Sequence, residues 1–175
     1  MHRRKLLETA LALCGGALVH SAATSASARP TTSRLFIIAR SKNANIVRYD
    51  ARLNVEGGLD LENPVVAYWI LAAEDNRREG LSWLERRLAY GYELSDVNER
   101  GFRMRLSASG RRPLTIERDG ARGFRARTQI AGRPAFLRKV FVSTDEGGVL
   151  PSVNYVELHG IDAARSSPLS ERLAP

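Results

Sequence analysis

The chain runs to 175 residues, 43% of them apolar and 26% charged, with a formal charge of +8, a normal size for one domain. Its single cysteine, Cys14, falls in an N-terminal stretch that reads as a removable leader, and so do His2 and His20. What remains has no cysteine and only His159, which excludes a disulfide framework, a thiol nucleophile, a Cys-ligated zinc, covalent haem and a His-rich metal site within one subunit.

His2-Arg3-Arg4-Lys5 is a basic head, Leu6 to Val19 a mostly apolar stretch, and Ala26-Ser27-Ala28 a small-x-small site just before Arg29-Pro30. That order marks an export signal over residues 1–28, followed by a short linker over 29–33. The apolar part falls short of the roughly 20 residues that a spanning helix needs, and no later segment approaches it, so no transmembrane segment is expected. Arg3-Arg4-Lys5-Leu6-Leu7 also fits the twin-arginine pattern, and the weak apolar stretch, broken by Glu8, Thr9, Gly15 and Gly16, suits that route. An ordinary secretory signal is the alternative; a lipoprotein signal at Cys14 is disfavoured by the bulk of Leu13. Loss of Arg3, Arg4, Lys5 and Glu8 with the leader leaves a charge of +6. A periplasmic or secreted location follows.

Beyond the leader, turn chemistry every eight to twelve residues predicts an antiparallel sheet. Leu35 to Ala39 is the first strand, Ser41-Lys42-Asn43-Ala44-Asn45 a polar connector, and Ile46 to Leu53 the second strand, with Val47, Tyr49, Ala51 and Leu53 on one side. Val65 to Leu71, apolar on both faces, reads as a central, covered strand. Ser82-Trp83-Leu84-Glu85 is a capping box; Leu81, Leu84 and Leu88 form a helical stripe expected to dock on the sheet, and Gly91 is placed to end the helix. Phe102, Met104, Leu106 and Ala108 alternate with Arg103, Arg105 and Ser107. Ser109-Gly110-Arg111 turns the chain into Leu114–Glu117, and Asp119-Gly120 turns it again. Phe124, Ala126, Thr128 and Ile130 then alternate with Arg125, Arg127 and Gln129, and strands over 136–142 and 153–159 complete the set. The fold class is mainly β (α+β): about eight antiparallel strands in a strongly bent sheet, a partly closed barrel or sandwich, with one short helix packed on it. One domain spans 34–162, and 163–175, rich in Ser, Ala and Pro, reads as a loose tail.

Three stretches carry a family resemblance: Arg40-Ser41-Lys42-Asn43-Ala44-Asn45-Ile46-Val47-Arg48-Tyr49-Asp50, Asn63-Pro64-Val65-Val66-Ala67-Tyr68-Trp69-Ile70, and Glu85-Arg86-Arg87-Leu88-Ala89-Tyr90-Gly91-Tyr92. In that order they resemble an exported bacterial family, domain of unknown function 4833, over nearly all of the mature chain. The resemblance implies a secreted or envelope-associated protein and implies no activity.

The residues themselves offer several candidate sites. Arg40, Lys42, Asn43, Asn45 and Asp50 could converge on an anionic or sugar-like ligand; the competing reading is a hairpin loop that spends its asparagines on backbone angles and side-chain-to-backbone bonds. Tyr68, Trp69, Tyr90 and Tyr92 could line an aromatic cavity, or be core with satisfied polar tips. His159 is the one imidazole left for acid–base work, with Glu157 on its face of the strand, and His159 and Tyr68 are the candidate proton carriers. No Gly-x-Ser-x-Gly or His-Glu-x-x-His motif is present. Asp145 and Glu146 before Gly147-Gly148 match no calcium loop and read as an acidic turn. A dozen basic residues between Arg100 and Lys139 face only Glu117 and Asp119, and Arg103, Arg105, Arg125 and Arg127 project outward as a basic face that would attract phosphates. A GC-rich genome would also yield such an arginine excess. Nucleic acid fits the charge but not the compartment.

The function expected is therefore an exported, non-catalytic binding module of the envelope for an anionic lipid, glycan or protein partner, acting through the arginine face or a pocket under the helix, with no cofactor and no metal. A small hydrolase or transferase acting on envelope material and a structural or interaction protein without a small ligand remain the alternatives.

Overall fold

Side chains alternate across a strand, so a polypeptide with one oily and one wet side folds into a sheet with a single lined interior. The computed structural model describes residues 31–107, 112–120, 123–145 and 152–174. The expected export signal, Ala108, the turn at 109–111 and the acidic turn from Glu146 onward lie outside the described residues. Eleven strands form one curled half-barrel sheet: β1 (Thr32–Arg40), β2 (Ile46–Arg52), β3 (Val65–Leu71), β4 (Arg77–Gly80), β5 (Tyr92–Asn98), β6 (Gly101–Leu106), β7 (Leu114–Arg118), β8 (Phe124–Ile130), β9 (Arg133–Asp145), β10 (Ser152–Asp162) and β11 (Pro168–Leu173). Between β4 and β5 comes the one helix among the described residues, α1 (Trp83–Glu85), continued by a π-helical turn (Arg86–Tyr90).

The strand order is β4-β3-β2-β1-β9-β8-β7-β6-β5, and β10 and then β11 add to the other edge of β9. The 13-residue β9 carries the bend. Its first residues pair antiparallel with β8, and Lys139–Val142 pair parallel with β1, so β1 and β8 share one edge and splay into two arms. A register shift opposite His159/Gly160 marks the same place, as expected where a bulge increases twist. The parallel pair is the one departure from the expected antiparallel pattern among the strand pairs.

The predicted faces hold. Val47, Tyr49 and Ala51 line the interior, as do Phe102, Met104 and Leu106 from β6 and Phe124, Ala126 and Ile130 from β8. A bulge between Arg34 and Phe36 lets both Leu35 and Phe36 turn inward. Phe36 and Tyr49 stack at 4.7 Å, and Tyr92 meets Tyr49 edge-on, so aromatic rings fill the widest part of the curl.

Three strands exceed expectation: β4, β5 and β11. The last replaces the anticipated loose tail. Pro168–Leu173 pairs along β10, buries Leu169, and is clasped by a bidentate Arg112–Glu171 ion pair at 2.6 Å for each hydrogen bond. The strand also begins earlier than expected at the front, at Thr32, inside the anticipated linker. β3 is covered on both faces, yet it lies next to the edge strand β4 rather than at the centre.

The helix keeps its capping box: the Glu85 amide donates to Ser82 Oγ and Ser82 N donates to the Glu85 carboxylate. The stripe does not dock as expected. Leu81 is buried, but Leu84 and Leu88 are exposed, and Ala89 and Tyr90 turn inward instead. A π turn advances by more residues than an α turn, which rotates Leu88 off the face that Leu81 begins. Gly91 does follow the helix, with extended rather than left-handed backbone. Glycine is needed there because a Cβ would strike the Arg86 carbonyl oxygen and come within 2.8 Å of Ser107 Oγ.

Candidate functional site

The Arg40–Asp50 segment divides rather than converges. Asn43 Oδ1 accepts the Asn45 amide at 3.1 Å, and Asn45 Oδ1 accepts the Ala72 amide at 3.0 Å, so both asparagines shape and tether the β1–β2 connection. Ser41 Oγ likewise accepts the Thr144 amide. Lys42 lies exposed in the same turn. Arg40 points the other way, to the interior side, its guanidinium 4.7 Å from the Trp69 ring centre; its buried Nε has no hydrogen-bond partner and rests on this cation–π contact.

Asp50 sits on the outer face of β2 and is fully buried. Arg48 Nε donates to it at 2.7 Å and Tyr68 Oη at 2.8 Å, while the Arg78 guanidinium lies 5.0 Å from the Tyr68 ring. Burial pushes the Tyr68 hydroxyl pKa above its ordinary value, and donation to the Asp50 carboxylate pushes it the same way. Each carboxylate oxygen of Asp50 thus takes a donor from another member of the trio, which fits a strand-to-strand clamp.

His159 shares the outer face with Tyr68. The registers run Tyr68–Arg48–Ile37–Lys139–His159 across five strands, so the two candidate proton carriers stand four strand spacings, roughly 19 Å along the sheet, apart. His159 Nε2 is 3.3 Å from Glu157, as the alternation on β10 implies, and Glu157 also meets Arg172 at 3.3 Å. Tyr68 and Trp69 occupy opposite faces of β3. Trp69 and Tyr90 pack edge-on inside, at 5.1 Å, with the Trp69 indole N–H donating to Glu85.

The four outward arginines occupy β6 and β8, with β7 between them rather than on adjacent strands as expected, and each meets a carboxylate. Arg103 pairs with Asp96, Arg105 with Glu93, Arg125 with Glu117 and Asp119, and Arg127 with Glu117 at 3.8 Å. The strand order interleaves β5 and β7 acids with β6 and β8 arginines, so this face alternates in sign.

Unpaired positive charge collects elsewhere. Two anchors hold the helix over the open side of the curl: Tyr49 Oη donates to the Tyr90 carbonyl at 2.8 Å, and the Trp69 indole donates to Glu85 at 2.9 Å. Burial would raise the pKa of Glu85, but hydrogen bonds from Ser82 and Trp69 and the charge of Arg40 outweigh it and hold the carboxyl below its ordinary value. Glu85 is thus an inward, fully engaged anion. Across from it, a groove of about 490 Å³ runs between the helix, the start of β3 and the start of β5. Its walls include Arg52, Arg86, Arg87, Trp83, Tyr92 and Ser107, and no carboxylate among the described residues. Among the described residues none of these three arginines makes an ion pair. Arg86 Nε donates to the Leu81 carbonyl, Arg87 lies 5.3 Å over the Trp83 ring, and Tyr92 Oη donates to the Val65 carbonyl, closing the curl. Burial pushes the Tyr92 hydroxyl up, against the pull of the Arg86 and Arg52 charges, so both cations act on the same groove-lining ring.

Arg86, Arg87 and Tyr92 stand within a quoted sequence motif; the sequence offers Tyr92 as a cavity-lining residue, whereas nothing in it marks the two arginines as site residues. Arg52 reaches them only because β2 and β3 pair in the observed register. The fold and groove define a class: a β-rich half-barrel with a basic cleft under a short helix. The chain belongs to the family described as Domain of unknown function (DUF4833), whose model matches residues 36–172. No curated protein and no solved structure matches it. No helix among the described residues is long and apolar enough to cross a membrane.

Proposed function

We propose that this chain is an exported, non-catalytic binding module whose ligand presents an anionic group to the groove beneath the helix. The observation that carries the reading is the sorting of arginines: those on β6 and β8 are matched by acids, whereas Arg52, Arg86 and Arg87 share one concavity without a carboxylate. Guanidinium groups with open donors on a polar, partly aromatic wall suit phosphate or carboxylate oxygens, which they can hold by charge-assisted hydrogen bonds. Asn63 and Ser107 supply further neutral donors along the groove. A hydrolase or transferase reading has less support, because Tyr68 is locked to Asp50 and His159 lies four strands away.

Calorimetric titration of the purified chain with pyrophosphate at low salt tests this reading. Binding should weaken by roughly tenfold or more in Arg52→Gln/Arg86→Gln, since each charged hydrogen-bond partner lost costs on the order of 1.5–3 kcal/mol at full strength. Arg103→Gln/Arg105→Gln should bind as wild type does. Equal binding by the groove variant and wild type, or no binding by wild type, refutes it.

A further inference from the structure

We infer that the helix flanking the groove docks the protein on the surface of an anionic lipid bilayer, its apolar side chains entering the interface while the groove arginines meet lipid phosphates. This rests on the groove being an anion site and names the source of the anion. Trp83 is 69% exposed, Leu84 55% and Leu88 67%. Among the described residues the other large exposed apolar side chains are Val55 and Leu61, six residues apart in the β2–β3 connection, and the single Val97 and Val153. Three of seven thus gather within six consecutive positions, on the element that should have buried them.

Arg87 lies 5.3 Å over the Trp83 ring, and Leu84 and Leu88 are exposed on the same short helical segment. Trp83 and Arg87 also line the groove, which makes the apolar strip and the basic cleft one continuous surface. The nearest acid on the helix, Glu85, is turned inward and consumed by Ser82 and Trp69. A protein partner would offer charges of both signs and a hollow for a protruding Trp. A groove whose described lining carries arginines and no carboxylate, beside an exposed apolar strip, matches a uniformly negative, deformable plane. Trp and Leu at the acyl boundary with arginines at headgroup depth is the composition of an interfacial helix.

Brominated-lipid quenching of tryptophan emission tests the inference on the full chain, with vesicles of phosphatidylcholine alone and of phosphatidylcholine with phosphatidylglycerol. Trp69 is buried, so quenching reports Trp83, and residues 1–30 are common to every variant. Quenching with the anionic vesicles at low salt, lost at high salt, is expected. Leu84→Ser/Leu88→Ser should reduce vesicle affinity by roughly tenfold or more while leaving pyrophosphate binding unchanged. Arg86→Gln/Arg87→Gln should reduce it by about fivefold for each charge removed. Pyrophosphate binding without quenching overturns the membrane inference and leaves the anion site standing. Quenching that survives both double variants overturns it as well, and so does stronger binding to neutral than to anionic vesicles. Failure to bind either pyrophosphate or vesicles removes both readings.

Discussion

Glu171→Gln is the most quantitative perturbation of the fold. Glu171 takes both Arg112 Nη donors at 2.6 Å and the Ala131 amide at 2.7 Å, and these interactions, led by the Arg112 hydrogen bond, pull its carboxyl down from 4.5 to about 2. Converted at about 1.36 kcal/mol per unit, that displacement sets a ceiling of about 3 kcal/mol. The side chains remain 31% and 21% exposed, so solvent screening cuts the expected contribution to about 1–2 kcal/mol. Because the folded value is depressed, the stabilisation is complete above the unfolded value near 4.5 and is lost as pH falls through the folded value near 2. Urea unfolding of wild type and Glu171→Gln at pH 7, 4 and 2 would therefore show a gap of about 1–2 kcal/mol at pH 7 that has nearly closed at pH 2. A gap that is absent at pH 7, or that persists unchanged at pH 2, refutes the clasp.

Further predictions concern the clamp, the groove floor and the alternating face. Asp50→Asn leaves Arg48 without its buried counter-charge and should cost about 2–4 kcal/mol by chemical unfolding; a cost below about 0.5 kcal/mol would contradict the clamp. Gly91→Ala drives a methyl into the Arg86 carbonyl and should destabilise the protein by roughly 2 kcal/mol or more, and also weaken pyrophosphate binding; wild-type behaviour in both would mean that the backbone is not so close. Arg103→Gln/Arg105→Gln removes only exposed cross-strand pairs and should change stability by less than about 1 kcal/mol; a larger loss would show that these pairs carry the sheet.

The strands that were legible in the sequence are those with one wet face. Arg103 and Arg105 interrupt Phe102, Met104 and Leu106 with period two, and no other arrangement hides the apolar set without burying charge. β11 was hidden because Leu169 and Leu173 are its only apolar anchors and its support comes from Arg112, far away in the chain. The helix stripe misled for a local reason: Leu88 belongs to an α-helical repeat that the π turn abandons. The candidate site was the least legible. Whether an arginine is paired depends on tertiary placement: strand register set Glu93 and Asp96 beside Arg105 and Arg103, while among the described residues Arg52, Arg86 and Arg87 meet no acid.

The central claim is that anions enter the cleft under the helix and not the broad arginine face. Backbone amide shifts recorded during a pyrophosphate titration test it most directly. The account predicts saturating shifts at Arg52, Arg86, Arg87, Gly91 and Ser107 with Arg103, Arg105, Arg125 and Arg127 unmoved. Shifts confined to those four, or spread evenly over the sheet, would contradict it.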